Sequence, residues 1–177
     1  MKEYTLLISE KEIQQRIKEV GKEIREKYEG QPLLAICVLK GASLFFADIV
    51  RELSPSTALD FVALSSYGNK TVSSGEVNFS KGLSQSVEGK HLIIFEDIVD
   101  SGLTMTCLKQ YLEKQNPKSV AICTLLDKPS RRKVKLDPEF ICFEIPDKFV
   151  VGYGLDFDEK YRTLRDVCVL EPWVYQD

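Results

Sequence analysis

The chain has 177 residues, 44% of them hydrophobic and 29% charged, with a formal net charge of −3. That is enough for a substantial core but too little for two ordinary domains, so one domain over 1–177 is expected. The composition excludes disorder, collagen-like repeats and a disulfide-stapled miniprotein, and the mild acidity argues against nucleic-acid binding.

From the N-terminus, Ser9-Glu10-Lys11-Glu12 has the pattern of a helix capping box, and Ile13, Ile17, Val20 and Ile24 follow on one face until Gly30. Pro32 leads into LLAICVL (33–39), an uninterrupted apolar run that predicts a parallel strand covered on both faces. Lys40-Gly41-Ala42 breaks it; Ser43 to Leu53 reads as a short helix and Ala58 to Leu64 as the next strand. Residues 66–89 are rich in Ser, Gly, Asn and Lys, the composition of a mobile lid. His91 to Phe95 predicts a strand, Met105 to Lys114 a helix and Ser119 to Leu126 another strand. The last third, with EFICFEIP, FVVGYGL and VCVLEP, predicts a sheet edge and a small flanking subdomain. Alternating elements of this kind imply an α/β fold with a mostly parallel central sheet flanked by helices.

Apolar runs reach only about seven residues, against the roughly 20 needed to span a bilayer, and MKEYTLLISEKEIQQR lacks a signal-peptide core. A cytoplasmic protein without a membrane partner is expected. The five cysteines form no C-x-x-C pair, and His91 is the sole histidine, so a zinc site is not expected. All but Cys107 lie in apolar strand-like runs and read as buried small hydrophobes. Arg131, Arg132, Lys133 and Lys135 form a short basic cluster without interleaved aromatics, read as a solvated face.

The most informative stretch is HLIIFEDIVDSGLTMTCLKQYL (91–112). An apolar strand ends in Glu96 and Asp97, and Asp100-Ser101-Gly102-Leu103-Thr104 then opens a helix. Backbone N–H groups at such a turn hold phosphate, while three carboxylates beside it ask for a cation or a hydroxyl-rich substrate. A sugar phosphate with Mg²⁺ meets both demands. Taken singly, Ser101 or Asp100 reads equally well as a helix N-cap.

FEDIVDSGLT resembles the phosphoribosyl-pyrophosphate motif of the type I phosphoribosyltransferases. LKGA (39–42), SSYG (65–68) and EIPDKFVVGYGLDFDEKYR (144–162) narrow the resemblance to the hypoxanthine-guanine phosphoribosyltransferases. It covers about residues 33–171. The resemblance implies attack of a purine nitrogen on 5-phospho-α-D-ribose 1-diphosphate, through an oxocarbenium-like transition state, to give IMP or GMP and pyrophosphate. It implies Mg²⁺ as cofactor, a homodimer or homotetramer, and these roles. Glu96 and Asp97 face the ribose hydroxyls and the metal; Asp100 is the general base at purine N7; Ser101, Gly102, Leu103 and Thr104 cradle the 5′-phosphate. Lys40 and Gly41, in a loop where the family has a non-proline cis peptide, meet the pyrophosphate with Arg162. Ser66 and Tyr67 belong to the lid. Lys128 donates to the purine 6-oxo group, Phe149 stacks on the ring, main-chain groups around Val150 meet the base edge, and Asp156 is a further acid on the metal side.

Ala42 stands where the family commonly has glycine or serine, Ser101 replaces the usual threonine, and the lid matches only loosely. The alternatives are a regulator that binds phosphoribosyl pyrophosphate without turnover, which would favour an added DNA-binding domain, and an enzyme for another base. Lys128 argues against adenine, and xanthine stays open. A generic nucleotide-binding module fits poorly, since G-x-G-x-x-G and a Walker loop are absent.

Overall fold

The computed structural model describes residues 2–64 and 79–176. The first helix, α1 (Glu10–Lys27), starts at the predicted capping box: Ser9 N–H donates to Glu12 Oε2 at 2.9 Å and Glu12 N–H to Ser9 Oγ at 3.4 Å. Its buried stripe is Ile13, Ile17, Val20 and Ile24. Strand β2 (Leu33–Leu39) is followed by helix α2 (Ser43–Ile49), a 3-10 turn over Val50–Glu52, and strand β3 (Ala58–Leu64). After β4 (Phe79–Lys81) come β5 (His91–Val99), helix α3 (Leu103–Glu113), β6 (Ser119–Asp127), a 3-10 turn over Pro129–Arg131, and β7 (Phe140–Glu144).

These strands form one six-stranded sheet in the order β4-β3-β2-β5-β6-β7, parallel except for β4. Side chains alternate across a strand, and β2 divides accordingly. Leu33, Ala35 and Cys37 pack with α1 and α2; Leu34, Ile36 and Val38 pack with the Met105, Leu108 and Leu112 face of α3. Burial on both faces is why LLAICVL carries no polar residue. Cys37, Cys123, Cys142 and Cys168 are buried as expected, and Cys107 is half-buried.

The flanking subdomain is a three-stranded antiparallel sheet, ordered β1-β9-β8, of β1 (Tyr4–Ile8), β8 (Val150–Val151) and β9 (Val167–Leu170). A one-turn helix, α4 (Pro172–Tyr175), follows. Strand β1 was not anticipated: its residues through Leu6 are exposed, and pairing with β9, more than 150 residues away, defines it. No helix among the described residues is long and apolar enough to cross a membrane.

The lid expectation is partly corrected. Residues 66–78 lie outside the described residues, but the rest of the 66–89 stretch is anchored. Strand β4 pairs antiparallel with β3, and beyond it the buried Asp60 carboxylate gathers the chain. Ser84 N–H donates to Asp60 Oδ2 at 2.8 Å, Gln85 N–H at 3.2 Å, and the Ser84 hydroxyl at 3.0 Å; Phe61 N–H donates to Oδ1 at 2.8 Å. Burial alone would raise the Asp60 pKa, but the N–H groups of Phe61 and Ser84, the Ser84 hydroxyl and the Lys81 ammonium outweigh it and hold the group below its ordinary value.

A lowered native-state pKa gives stability that is present above the unfolded-state value, about 3.9, and is lost as pH falls through the native value. Asp60→Asn should therefore destabilise the protein by about 1–3 kcal/mol at pH 7. In urea denaturation the gap from the parent should narrow below about pH 4; an equal gap at both pH values would show that the charge contributes nothing.

Candidate active site

All parallel strands end at one edge of the sheet, and the order of connections reverses between β2 and β5. Ligands of open α/β sheets bind at such a switch point. Every described site residue singled out from sequence lies at this edge or on the segment from 147 to 162 that faces it.

At the end of β5, Glu96 and Asp97 are still in the strand, which runs to Val99 rather than stopping at Phe95. Burial pushes both carboxyls above the ordinary carboxylate range, and for Glu96 the adjoining Asp97 carboxylate adds to the effect. Such a pair is relieved by a cation or by hydroxyl donors. Asp97 N–H donates to Glu96 Oε1 at 3.0 Å and Ile98 N–H to Asp97 Oδ1 at 2.7 Å, which fixes both side chains.

Gly102, not Ser101 or Asp100, is the N-cap of α3, with φ of 80° and no side-chain cap bond. A Cβ there would lie 2.9 Å from Arg132 Cδ, so both conformation and space require glycine. Ser101 Oγ instead accepts from Leu103 N–H at 3.4 Å. Glu96, Asp97, Asp100, Ser101, Gly102 and Thr104 line a cup of about 180 Å³ at the start of α3. The buried Asp100 Oδ1 lacks an aligned hydrogen-bond donor; the Nε of Arg131 stands 2.7 Å away as an ion-pair partner.

A larger cavity of about 480 Å³ adjoins the cup and shares Asp97, Ile98 and Asp100 with it. Its polar lining includes Lys128, Arg131, Asp147 and Asp156; its apolar lining includes Ile98, Phe149, Val150 and Leu155. Lys128 is buried, and its Nζ donates to the Lys148 carbonyl at 2.6 Å and lies 3.7 Å from Asp147. An ammonium has three donors, so capacity for a substrate acceptor is left. Phe149 is 39% exposed and offers an open aromatic face to the cavity.

Beside β2, the Leu39–Lys40 peptide is cis. A methyl group on Gly41 would collide with the Asp97 carboxylate, and one on Gly154 with the Gly41 carbonyl. The loop after β2 is therefore packed backbone to backbone on the 152–156 turn, and its Gly41 lies directly against the Asp97 carboxylate of β5. Lys40 Nζ reaches Glu159 Oε2 at 2.9 Å; Arg162 pairs with Asp156 at 2.9 Å and with Glu159 at 3.3 Å. Asp156 also accepts from Glu159 N–H at 2.9 Å. Lys40 and Arg162 thus flank one carboxylate, the arrangement a phosphate group would exploit.

Among the described residues no three acids form a ready chelating cluster. Glu96, Asp97 and Asp156 do not make a preformed cage. This donor chemistry still fits Mg²⁺, which commonly takes one or two carboxylates and completes its shell with substrate oxygens and water. Ser66 and Tyr67 lie outside the described residues.

The basic cluster is the solvated face expected at Arg131, Lys133 and Lys135, which are exposed, but not at Arg132. Arg132 is half-buried: its NH2 meets the buried Asp127 carboxylate at 2.5 Å, and it donates to the carbonyls of Asp100 at 2.7 Å, Val99 at 3.2 Å and Leu136 at 3.0 Å. Arg131 bridges Asp100 and Asp147 across the larger cavity. Sequence reading gave these two arginines no role at the site, and it did not single out Asp147, Glu159 or Tyr175. The one signal available was Asp127 at the end of an otherwise apolar strand, a buried charge that needs a partner.

The comparisons with known proteins agree with this geometry. A family model described as the phosphoribosyl transferase domain matches residues 7–158. The chain is 51% identical over 171 residues to the hypoxanthine-guanine phosphoribosyltransferase of Bacillus subtilis, covering 97% of this chain and 95% of that protein. It is 45% identical over 178 residues to that of Mycobacterium avium, covering 97% and 88% respectively. A crystal structure of a Staphylococcus aureus hypoxanthine phosphoribosyltransferase superposes with a TM-score of 0.93 at 39% identity, covering 98% of this chain and 94% of that one. With that fold, two joined cavities at the switch point and identity along nearly its whole length, the chain belongs to the hypoxanthine-guanine phosphoribosyltransferases of the type I phosphoribosyltransferase family.

Proposed function

We propose a residue-level account of the purine-salvage reaction that comes with this family, the conversion of hypoxanthine or guanine and 5-phospho-α-D-ribose 1-diphosphate to IMP or GMP and pyrophosphate. The observation that carries it is the pair of joined cavities: a small acidic cup at the start of α3 and a larger slot with a lysine and an open aromatic ring.

In this reading the 5′-phosphate sits in the cup, held by main-chain N–H groups of Ser101 to Thr104 and by the two hydroxyls. Leu103 contributes only backbone, so its side chain is tolerated. The purine enters the larger slot against Phe149, its 6-oxo group on Lys128 and its edge along the main chain around Val150. Lys40, Gly41 and Arg162 receive the pyrophosphate, which displaces the Glu159 carboxylate from the two cations. Ser66 and Tyr67 complete the enclosure in the same reading.

No covalent nucleophile is needed. The barrier is lowered by alignment of the two substrates and by charge set where charge develops. Glu96 and Asp97 face the ribose, where negative charge stabilises the oxocarbenium-like centre. Asp100, common to both cavities, takes the proton from purine N7 as the glycosidic bond forms; its Oδ1 is the acceptor that lacks an aligned donor. Mg²⁺, when bound, neutralises the leaving pyrophosphate, with Glu96, Asp97 and Asp156 as the acids available to it. A cytoplasmic location and self-association belong to the same reading, and the exposed Leu44, Leu59 and Phe61 offer apolar surface for the latter.

Ultraviolet-monitored turnover tests the function. Hypoxanthine or guanine should be converted with phosphoribosyl pyrophosphate and Mg²⁺, adenine should not, and excess EDTA should abolish the signal. Folded protein that binds phosphoribosyl pyrophosphate yet turns over no base would overturn the reading in favour of a regulator.

Two substitutions test the roles. Asp100→Asn should lower kcat by about 10² or more with folding and substrate binding retained, the scale of general-base loss. Near-normal turnover would remove Asp100 from the role. Lys128→Ala should raise KM for 6-oxopurines while KM for phosphoribosyl pyrophosphate changes little, because of the two substrates only the purine, through its carbonyl, loses a partner; a matching loss for both substrates would count against base recognition.

A further inference from the structure

We propose that Tyr175, on the one-turn helix α4, is a positioning residue for the purine: it fixes the plane of the Phe149 ring against which the base packs. The inference rests on the assignment of the larger cavity to the purine. The Tyr175 ring is stacked on Phe149, with centroids 4.7 Å apart and planes 24° apart. Phe157 holds the same two rings edge-on, at 5.8 Å and 88° from Phe149 and 6.4 Å and 65° from Tyr175. Phe149 thus meets one parallel and one perpendicular ring, the two favoured geometries of aromatic pairs. It still keeps 39% of its surface exposed and lines the cavity.

The backbone explains how a tail residue arrives there. Leu170 N–H donates to the Phe149 carbonyl at 2.9 Å, so the tail starts beside the ring that it will cover. Pro172 opens one helical turn, closed by Val174 N–H to Glu171 O at 2.9 Å and Gln176 N–H to Pro172 O at 2.8 Å. That turn sends Trp173 outward, 54% exposed, and returns Tyr175 to Phe149. Without Tyr175, Phe149 would be a large exposed aromatic just before a two-residue strand, with Phe157 as its only aromatic neighbour among the described residues. A flat base stacks well only on a ring held flat to it, so an unsupported Phe149 would cost base affinity and leave the phosphate cup untouched.

The test is steady-state kinetics for both substrates on five proteins: the parent, Tyr175→Ala, Tyr175→Phe, Tyr175→Leu and Phe149→Ala. Tyr175→Ala should raise KM for hypoxanthine or guanine by about three- to tenfold, the scale of a lost aromatic pair, with KM for phosphoribosyl pyrophosphate within about twofold of the parent. Tyr175→Phe should restore the parent value, because the ring and not the hydroxyl is used. Tyr175→Leu, which keeps apolar cover without a flat ring, gives the same readout should the alanine variant fold poorly, and a parent-like base KM in it would overturn the proposal. So would an unchanged base KM in Tyr175→Ala, or an equal rise for both substrates, provided Phe149→Ala raises the base KM. An unchanged base KM in Phe149→Ala would overturn the purine assignment of the cavity itself, and the proposal with it.

Discussion

One guanidinium holds the edge of the sheet on which the chemistry is built. Arg132 joins the end of β6 through Asp127, the end of β5 through the carbonyls of Val99 and Asp100, and its own segment through Leu136. Buried charges persist when paired and fully hydrogen-bonded, and removal of one partner leaves a costly uncompensated ion. Because the bonds run to main-chain carbonyls, the path of the backbone into the acidic cup at the start of α3 depends on them. Gly102 packs directly on the Arg132 methylenes, so the left-handed turn that starts α3 is shaped by the same side chain. The cup, Asp100 and the mouth of the larger cavity inherit their positions from this contact.

Charge balance is the second theme. Three carboxylates at the end of one strand are answered by cations delivered from elsewhere: Lys128 and Arg131 after β6, Lys40 after β2, and Arg162 from the far loop. Most of these cations already have partners, in Asp147, Asp156 and Glu159, so the site does not hold bare positive charge while it waits for substrate. Exposed pairs such as Lys40 with Glu159 are weak and exchange readily with a more highly charged anion.

The sheet and its helices were legible because burial on both faces leaves an unmistakable apolar run, as in residues 33–39, and because α1 carries a complete cap and a clean stripe. Strand ends were less legible. Strand β5 continues through Glu96 and Asp97, since hydrogen bonding to β6 does not stop where polarity begins. Strand β1 is an exposed edge that only its distant partner defines. In the site, contiguous residues were readable: Asp100 to Thr104 form a loop whose chemistry is written in neighbouring positions. Arg131, Asp147 and Tyr175 were not readable, because packing between segments brings them to the larger cavity, nor was Arg132, which the same packing sets against Asp127. A run of basic residues looks the same in sequence whether it faces water or a buried aspartate.

Thiol burial has a consequence for durability. Burial pushes Cys37 and Cys142 up to about 12, and raises Cys123 and Cys168 as well. The thiolate is the species that reacts with oxidants and alkylating agents, so four of the five sulfurs are chemically quiet while the fold is intact. Cys107 alone is half-buried, on the helix that begins at the acidic cup. The chain therefore offers one addressable sulfur on the element that opens at the acidic cup, a natural point for a spectroscopic label, and exposure of the other four marks loss of the native state.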